Sequence, residues 1–313
     1  MAPTIVIRNE REAVRVGVDI GGTNTDAVAL DEGGLVAHAL RLPTGWGPDA
    51  VLATATEVVR ALADAVGIEP SSFSSIGVGI PGAVDSEHGT VTHARNLGVE
   101  RLDLGRLLAA NLGRSVRVEN DVNAAALGAF HQLGLDATNS LAYLNLGTGL
   151  AAGLVLGGKL WRGSRGAAGE IGHILIDPTG PLDVDGQPGA LEVLASGSGI
   201  ASQRPGSVPD LLEAAEAGDA EAIQVRRRMF EGVASAVRIL VLTLDVDTVV
   251  IGGGISTMGE DLLGAVRAVF GAWEKNSPFI TSLELGSRVR ILSPDASTAA
   301  TGAAWLGATL WQR

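Results

Sequence analysis

The chain has 313 residues, of which 46% are hydrophobic and 19% are charged, a balance typical of a globular protein long enough for two lobes. Its net charge of -12 argues against nonspecific binding to nucleic acid, which depends on neutralising phosphates. The absence of cysteine excludes disulfides and thiolate metal sites. No signal peptide and no membrane-spanning apolar run can be recognised, so we expect a cytoplasmic protein that does not bind membranes.

Strand-like and helical segments alternate along the chain. Strands are predicted at 14–22, 74–82, 116–120, 140–149, 151–158 and 247–254. Helices are predicted at 48–66, 121–133, 219–244, 259–273 and 297–311. This alternation predicts an α/β protein with mixed or parallel sheets.

One pattern occurs twice, in residues 19–30 (DIGGTNTDAVAL) and in residues 145–156 (NLGTGLAAGLVL). Each copy has a polar residue at the end of a strand, a glycine turn with threonine, and a second strand that leads to Gly-Gly. Both copies are predicted to be β-hairpins with a glycine-rich tip. We interpret the pair as a sign of a duplicated lobe, with chance recurrence of short hairpins as the alternative.

Three glycine turns are candidates for binding a nucleotide. At 19–24, glycine would let backbone N–H groups approach phosphate oxygens, and Asp19 could hold Mg²⁺ through water. The second candidate is the turn at 147–149, and the third, at 252–254, could admit a base or ribose. The turn at 19–24 has neither the Walker A nor the G-x-G-x-x-G pattern, and an ordinary tight turn is the alternative at each of the three.

Two pairs of polar residues are candidates for chemistry on a substrate. Asn120 and Asp121 lie where a predicted strand meets a helix, the edge at which α/β proteins bind ligands. A carboxylate there could accept a proton from a hydroxyl, as in phosphoryl transfer, although an aspartate at a helix start is often a simple cap. Glu170 and His173 could reach sugar hydroxyls or could form a surface pair.

The order of these segments resembles the ROK family of bacterial sugar kinases and sugar-responsive regulators. The resemblance extends from about Val14 over nearly the whole chain, and it is most specific in NDVNAAA and AGEIGH. It implies an actin-like ATPase (ribonuclease H-like) α/β fold, with two lobes around a central cleft. Residues 1–120 would form the smaller lobe, with a C-terminal helix at 297–313 packing back on it, and residues 121–296 the larger lobe.

The resemblance also implies an activity, namely ATP-dependent phosphorylation of a hexose, with glucose at its 6-hydroxyl as the first candidate and Asp121 as the general base. The implied sugar contacts are Gly82, Asn96, Asn120, Asp121, Glu170, His173 and Glu192. The ATP phosphates, with Mg²⁺ near Asp19, are expected at Asp19, Gly21, Gly22, Thr23, Asn24, Gly147, Thr148 and Gly149. The adenosine is expected near Gly252, Gly253 and Gly254.

Several alternatives remain within the same family. The acceptor could be mannose, fructose, N-acetylglucosamine or N-acetylmannosamine, and the donor could be polyphosphate. A non-catalytic, sugar-binding regulator is a further alternative, but such members carry a helix-turn-helix domain before the first glycine turn. Only 18 residues precede Asp19 here, which favours the kinase. Since the family commonly forms dimers, we expect a homodimer.

The chain departs from the family pattern at two places. Most members carry a zinc-binding cluster, C-x-C-G-x-x-G-C-L-E, where residues 183–192 read DVDGQPGALE, with Asp183 and Asp185 at two of the cysteine positions. Because structural zinc prefers four thiolate or imidazole ligands, we expect no structural zinc. The loop would instead be held by its own hydrogen bonds and by packing around Pro181, Leu182 and Pro188. The second departure is Thr25-Asp26, just after the first phosphate turn. If the hairpin strand is exposed on one face, Asp26 is expected to be simply solvated.

Overall fold

A computed structural model describes residues 13–292 and 297–307. The described residues fall into two compact units. Unit 1 lies within Met1–Asn120 and Ala303–Arg313, and unit 2 comprises Asp121–Gly302. Each unit is built around a five-stranded mixed sheet.

The described residues of unit 1 up to Asn120 form these strands and α-helices: β1 (Arg15–Ile20), β2 (Asn24–Leu30), β3 (Val36–Pro43), α1 (Pro48–Val66), β4 (Ser75–Ile80), β5 (Ala83–Asp85), β6 (Thr90–Ala94), β7 (Val99–Leu102), α2 (Leu104–Leu112) and β8 (Val116–Asn120). The large sheet has the order β3-β2-β1-β4-β8. Strands β1, β4 and β8 are parallel, with Asp19, Gly79 and Glu119 in register. The carboxyl ends of these strands therefore meet at one edge, and Asp19 and Asn120 lie there.

The core of unit 1 forms between the large sheet and α1. Val16, Val18 and Ile20 alternate along β1 and are fully buried, and they belong to one cluster with Val58 and Leu62 of α1. Alternation by two in the strand and the spacing of four in the helix present these side chains to the same layer. Helix α1 begins at a proline and ends at Gly67 in the left-handed conformation, which are common signals for a helix start and stop.

Unit 2 contains α3 (Asp121–Gln132), β9 (Ser140–Leu146), β10 (Leu150–Leu156), β11 (Lys159–Leu160), α4 (Leu191–Ala195), α5 (Gly197–Gln203), α6 (Val208–Glu216), α7 (Ala220–Leu244), β12 (Thr248–Gly252), α8 (Glu260–Glu274), α9 (Pro278–Ser282), α10 (Leu285–Arg288) and β13 (Val289–Ile291). Helix α11 (Thr298–Trp305) begins in unit 2 and ends in unit 1. The sheet has the order β11-β10-β9-β12-β13, with β9, β12 and β13 parallel. The turn after β9 and the glycines after β12 therefore share one edge.

The two large sheets support the interpretation of a duplicated lobe. In each sheet, an antiparallel hairpin lies beside two further strands that are parallel to its first strand. The strands of the second sheet correspond to those of the first in the following order: β9, β10, β11, β12 and β13 to β1, β2, β3, β4 and β8. The two predicted glycine-tipped hairpins are β1–β2 and β9–β10, which confirms that prediction.

The long helices also agree with the sequence patterns, since α1, α3, α7 and α8 each lie within about one residue of a predicted helix. Residues 308–311 of the last predicted helix lie outside the described residues. The sequence missed the small β5-β6-β7 sheet and the short helices, because elements this short show little periodicity. In the part of the chain that the structure describes, every helix is too short or too polar to serve as a membrane span.

Candidate active site

The first candidate phosphate turn is the tip of the β1–β2 hairpin, and Thr44 fixes its orientation. The Thr44 hydroxyl donates to Gly21 O at 2.7 Å, and Thr44 N donates to Thr23 O at 3.0 Å. Because the C=O and N–H of a trans peptide point in opposite directions, the amides of Gly22 and Asn24 face away from Thr44. Two N–H groups on the exposed side of a glycine turn suit an anion. The sequence did not identify Thr44.

A row of charged residues lies behind this turn. Asp19 is in register with Asp26 on β2, and Asp26 is in register with Arg41 on β3. The Arg41 guanidinium binds the Asp26 carboxylate through two hydrogen bonds, of 2.5 and 2.9 Å, and these bonds raise the pKa of Arg41. The expectation that Asp26 is simply solvated is therefore wrong. Arg41 offsets the repulsion of two carboxylates placed opposite each other, and the carboxylate of Asp19 fits the oxygen ligands that Mg²⁺ prefers.

The sugar candidates of unit 1 form two local contacts. Asn120 Nδ2 donates to Gly82 O at 3.3 Å, and Gly82 has φ +102°. A Cβ atom at Gly82 would lie 2.7 Å from Thr92 O, so only glycine fits there. Asn96 lies beside the phosphate turn, since a Cβ atom at Gly22 would be 3.4 Å from Asn96 Nδ2.

Asp121 is the first residue of α3 and directly follows the end of β8. Its Oδ1 accepts a hydrogen bond of 3.0 Å from Val122 N. The free N–H groups at the start of a helix create a positive end that stabilises a carboxylate charge. The side chain is half-buried, so this charge is held in a fixed place while it stays accessible. This is the arrangement that a general base requires.

The second candidate phosphate turn, at 147–149, is fixed in the same way by the start of α5. Gly197 N donates to Gly147 O at 2.8 Å, and Ser198 N and Oγ donate to Thr148 O at 3.1 and 2.6 Å. By the geometry of the trans peptide, the amides of Thr148 and Gly149 are directed away from α5. The sequence did not identify Gly197 or Ser198, which lie about fifty residues further along the chain.

If the turn at 147–149 binds ATP phosphates, as the resemblance implies, Ser198→Ala should raise the KM for ATP roughly three- to tenfold, because it removes one hydrogen bond to the Thr148 carbonyl. The KM for the sugar should change by less than about twofold. Steady-state kinetics with each substrate varied in turn measures both. Ser202→Ala is the matched control, since Ser202 also bonds a carbonyl within α5, that of Gly199. An increase confined to the sugar KM would contradict this assignment.

Glu192 connects the second turn with the G-E-I-G-H segment. Its Oε2 accepts a hydrogen bond of 3.0 Å from Leu150 N, and a Cβ atom at Gly149 would lie 2.8 Å from that oxygen. A Cβ atom at Gly172 would lie 3.3 Å from Cβ of Glu192. The exposed His173 is the next residue, so Glu192 lies close to both the turn and the histidine.

The glycines of the G-E-I-G-H segment have a packing role. A Cβ atom at Gly169, which has φ +96°, would collide with Ala152 O, and one at Gly172 would collide with Leu150 O. Ala152 N also donates to Gly169 O at 2.8 Å. The segment therefore lies directly on the backbone of β10, which holds the exposed Glu170 in place.

The third glycine run, at 252–254, divides into two parts. A Cβ atom at Gly252 would collide with the Tyr143 hydroxyl, and one at Gly253 would lie 2.5 Å from the Leu146 carbonyl carbon. Both glycines are therefore needed for close packing on β9. Gly254 has open space around its Cβ position, so it is the member of the run that a ligand could approach.

The loop that resembles a zinc site has a different organisation from the one expected. The described residues contain no group of three or more His, Asp or Glu residues that could hold a metal ion. The loop makes internal hydrogen bonds, as expected, but Leu182 is 65% exposed. Packing around Leu182 therefore does not hold the loop.

Comparison with known proteins gives the family. The model of the ROK family matches residues 15–309. A glucokinase of Halalkalibacterium halodurans is 30% identical over 315 aligned positions, which cover 93% of this chain and 94% of that protein.

Two solved structures are similar over most of the chain. A ROK hexokinase from Thermus thermophilus has 32% identity and a TM-score of 0.75, covering 93% of this chain and 96% of that one. A ROK family glucokinase from Streptomyces griseus, in complex with glucose and AMPPNP, has 28% identity and a TM-score of 0.73, covering 93% and 98%. The chain has the actin-like ATPase fold and belongs to the ROK family.

Proposed function

We propose that this protein is an ATP-dependent hexose kinase, and that its principal acceptor is glucose at the 6-hydroxyl. The observation that carries the proposal is the Asp121 carboxylate at the start of α3, next to Asn120. A hydroxyl acceptor needs a base at this point, whereas a protein that only binds sugar does not. The similar proteins named glucokinase and hexokinase, one of them solved with glucose and AMPPNP, support the choice of substrates.

In the proposed mechanism, Asp121 accepts the proton of the 6-hydroxyl as that oxygen attacks the γ-phosphorus of ATP in line. The bond between the γ-phosphorus and the bridging oxygen breaks on the opposite side, and ADP leaves with that oxygen. The remaining sugar hydroxyls would be held by Gly82, Asn96, Asn120, Glu170, His173 and Glu192. The outward amides of the two turns would bind the phosphates and offset their growing charge, with adenosine near Gly254. Mg²⁺, which fits the carboxylate of Asp19, would neutralise phosphate charge when bound.

Other parts of the proposal have separate grounds. The homodimer follows from the family resemblance, and the cytoplasmic location is the expectation from the sequence. The absence of a structural zinc ion follows from the departure from the family pattern at 183–192, where aspartates stand at two of the cysteine positions. The acceptor could also be mannose, fructose or an N-acylhexosamine, and the donor could be polyphosphate, because the residues assigned above do not distinguish them.

A coupled assay over a panel of hexoses, with ATP or polyphosphate and with Mg²⁺, tests the proposal. We expect the highest kcat/KM with glucose and ATP. A higher kcat/KM with another hexose would support the assignment as a kinase and would make that hexose the principal acceptor. If calorimetry detects binding of a sugar but no hexose of the panel is phosphorylated, the protein is a non-catalytic sugar-binding protein instead.

A further inference from the structure

A hairpin at 174–191 lies between two of the proposed sugar contacts. His173 immediately precedes it, and Glu192 immediately follows it. At its base, Leu191 N donates to Ile174 O at 3.0 Å. The hydrogen bond across the base is therefore one of the contacts that set the separation between the backbones of His173 and Glu192, beside the packing of Gly172 against Glu192.

Apolar burial does not hold the outer part of this hairpin. Leu182 is 65% exposed and Val184 is 98% exposed, whereas at the base Ala190 is buried and Ile176 packs against its cluster. Because the hydrophobic contribution grows with the apolar area removed from water, Leu182 and Val184 contribute little. Polar contacts must therefore define the shape of the outer hairpin.

The side chains of two aspartates supply part of those contacts, beside backbone hydrogen bonds such as the one from Asp183 N to Gln187 O at 2.9 Å. Asp177 Oδ1 accepts hydrogen bonds from Thr179 N at 3.0 Å and Thr179 Oγ1 at 2.8 Å. Asp183 Oδ1 accepts from Asp185 N at 2.9 Å and Gln187 N at 2.8 Å. Hydrogen bonds to a charged acceptor are about twice as strong as neutral ones. Each carboxylate thus holds one tight turn closed.

The first of these turns is packed against the base of the hairpin. Gly189 has φ +62°, and a Cβ atom there would collide with Asp177 O. Asp177 N also donates to Gly189 O at 3.3 Å. The bonds from Thr179 lower the pKa of the Asp177 carboxyl, because they stabilise its charged form. A change in this turn would therefore reach Gly189, two residues before Leu191.

We infer that Asp177 and Asp183 are positioning residues for the sugar site, because their carboxylates hold the two turns of the hairpin whose base places His173 and Glu192. Neither aspartate is assigned a contact with the sugar. The inference rests on the proposed function, since that function assigns sugar contacts to His173 and Glu192.

Kinetics of Asp177→Ala and Asp183→Ala test the inference. We expect the KM for glucose to rise roughly five- to tenfold in each, the effect of about one lost hydrogen bond. The kcat and the KM for ATP should stay within about twofold, because the turn at 147–149 is held by α5. Asp177→Asn and Asp183→Asn keep an acceptor oxygen and should restore most of the affinity.

Asp185→Ala is the matched control. Asp185 lies in the same turn, and its backbone amide rather than its carboxylate makes the hydrogen bond described above, so its glucose KM should be that of the wild type. Equal glucose KM values for Asp185→Ala, Asp177→Ala and Asp183→Ala would overturn the inference. A lower kcat, higher KM values for both substrates and a lower melting temperature, all in the same variant, would also overturn the inference. That pattern indicates a general structural role.

Hydrogen exchange separates this inference from the proposed function. The Leu191 amide, bonded across the base, should exchange faster in Asp177→Ala and Asp183→Ala than in the wild type and in Asp185→Ala. If the wild type phosphorylates no hexose, the proposed function fails, and the exchange rates still decide whether the carboxylates hold the hairpin. Unchanged exchange in both variants would overturn the inference whatever the activity.

Discussion

Replacing Asp121 by asparagine is expected to lower kcat for hexose phosphorylation by roughly 10²- to 10⁴-fold, the range that a positioned general base contributes. Asparagine has nearly the same shape and can still accept the hydrogen bond from Val122 N. It cannot take a proton from the sugar hydroxyl. The coupled assay measures kcat, and calorimetry with glucose should give a Kd within a few-fold of the wild type.

A matched control for this substitution is Asp261→Asn. Asp261 is also an aspartate in the first turn of a helix of unit 2, α8, and it is exposed. If Asp121 only stabilised the start of its helix through its charge, both substitutions would have the same effect. Each would remove the stabilisation of one helix end, about 0.3–1 kcal/mol. We expect wild-type kcat for Asp261→Asn. Activity of Asp121→Asn within tenfold of the wild type would rule out Asp121 as the base.

The parts of the site that could be predicted from the sequence are those marked by local patterns. The two glycine-tipped hairpins have strands on both sides of a turn, and Asp121 lies between a predicted strand and a predicted helix. Each of these signals is contained in about a dozen consecutive residues. Backbone geometry and periodicity act over that range, so the predicted elements agree with the structure.

The groups that orient the turns could not be predicted, because they act across long stretches of chain. Thr44 and Ser198 each bind turn carbonyls through one side-chain and one backbone hydrogen bond, and no pattern near either residue marks it as a partner. Asp26 was misjudged for a related reason. Its partner Arg41 lies on β3, and the register of that strand cannot be read without the sheet.

Gly128→Ala is expected to destabilise the protein by about 1–3 kcal/mol or more, the usual cost of forcing a group into a packed interior. A Cβ atom at Gly128 of α3 would collide with Thr298 O of α11, and one at Gly302 of α11 would collide with Ala124 O. The two helices thus meet through their backbones. Backbone atoms cannot turn aside as a flexible side chain can, so the helices must separate.

The opposing effect is the higher helix propensity of alanine, which favours it over glycine by about 0.8–1.0 kcal/mol. In α3 the steric cost should exceed that gain. Gly264→Ala in α8 measures the gain in helix propensity without a steric cost, because Gly264 is exposed and has open space at its Cβ position. In urea denaturation, the change in the free energy of unfolding should therefore have opposite signs in the two variants. Gly264→Ala should be more stable than the wild type, and Gly128→Ala less stable.

The consequence for activity follows from the position of Asp121 on the same helix as Gly128. A shift of α3 away from α11 moves the helix start that holds the proposed base, and a displacement of about 1 Å can cost 10²-fold in rate. Gly128→Ala should therefore lose activity at temperatures where circular dichroism shows it folded, whereas Gly264→Ala should keep it. Wild-type stability and wild-type kcat in Gly128→Ala would show that the close backbone contact between α3 and α11 is not required.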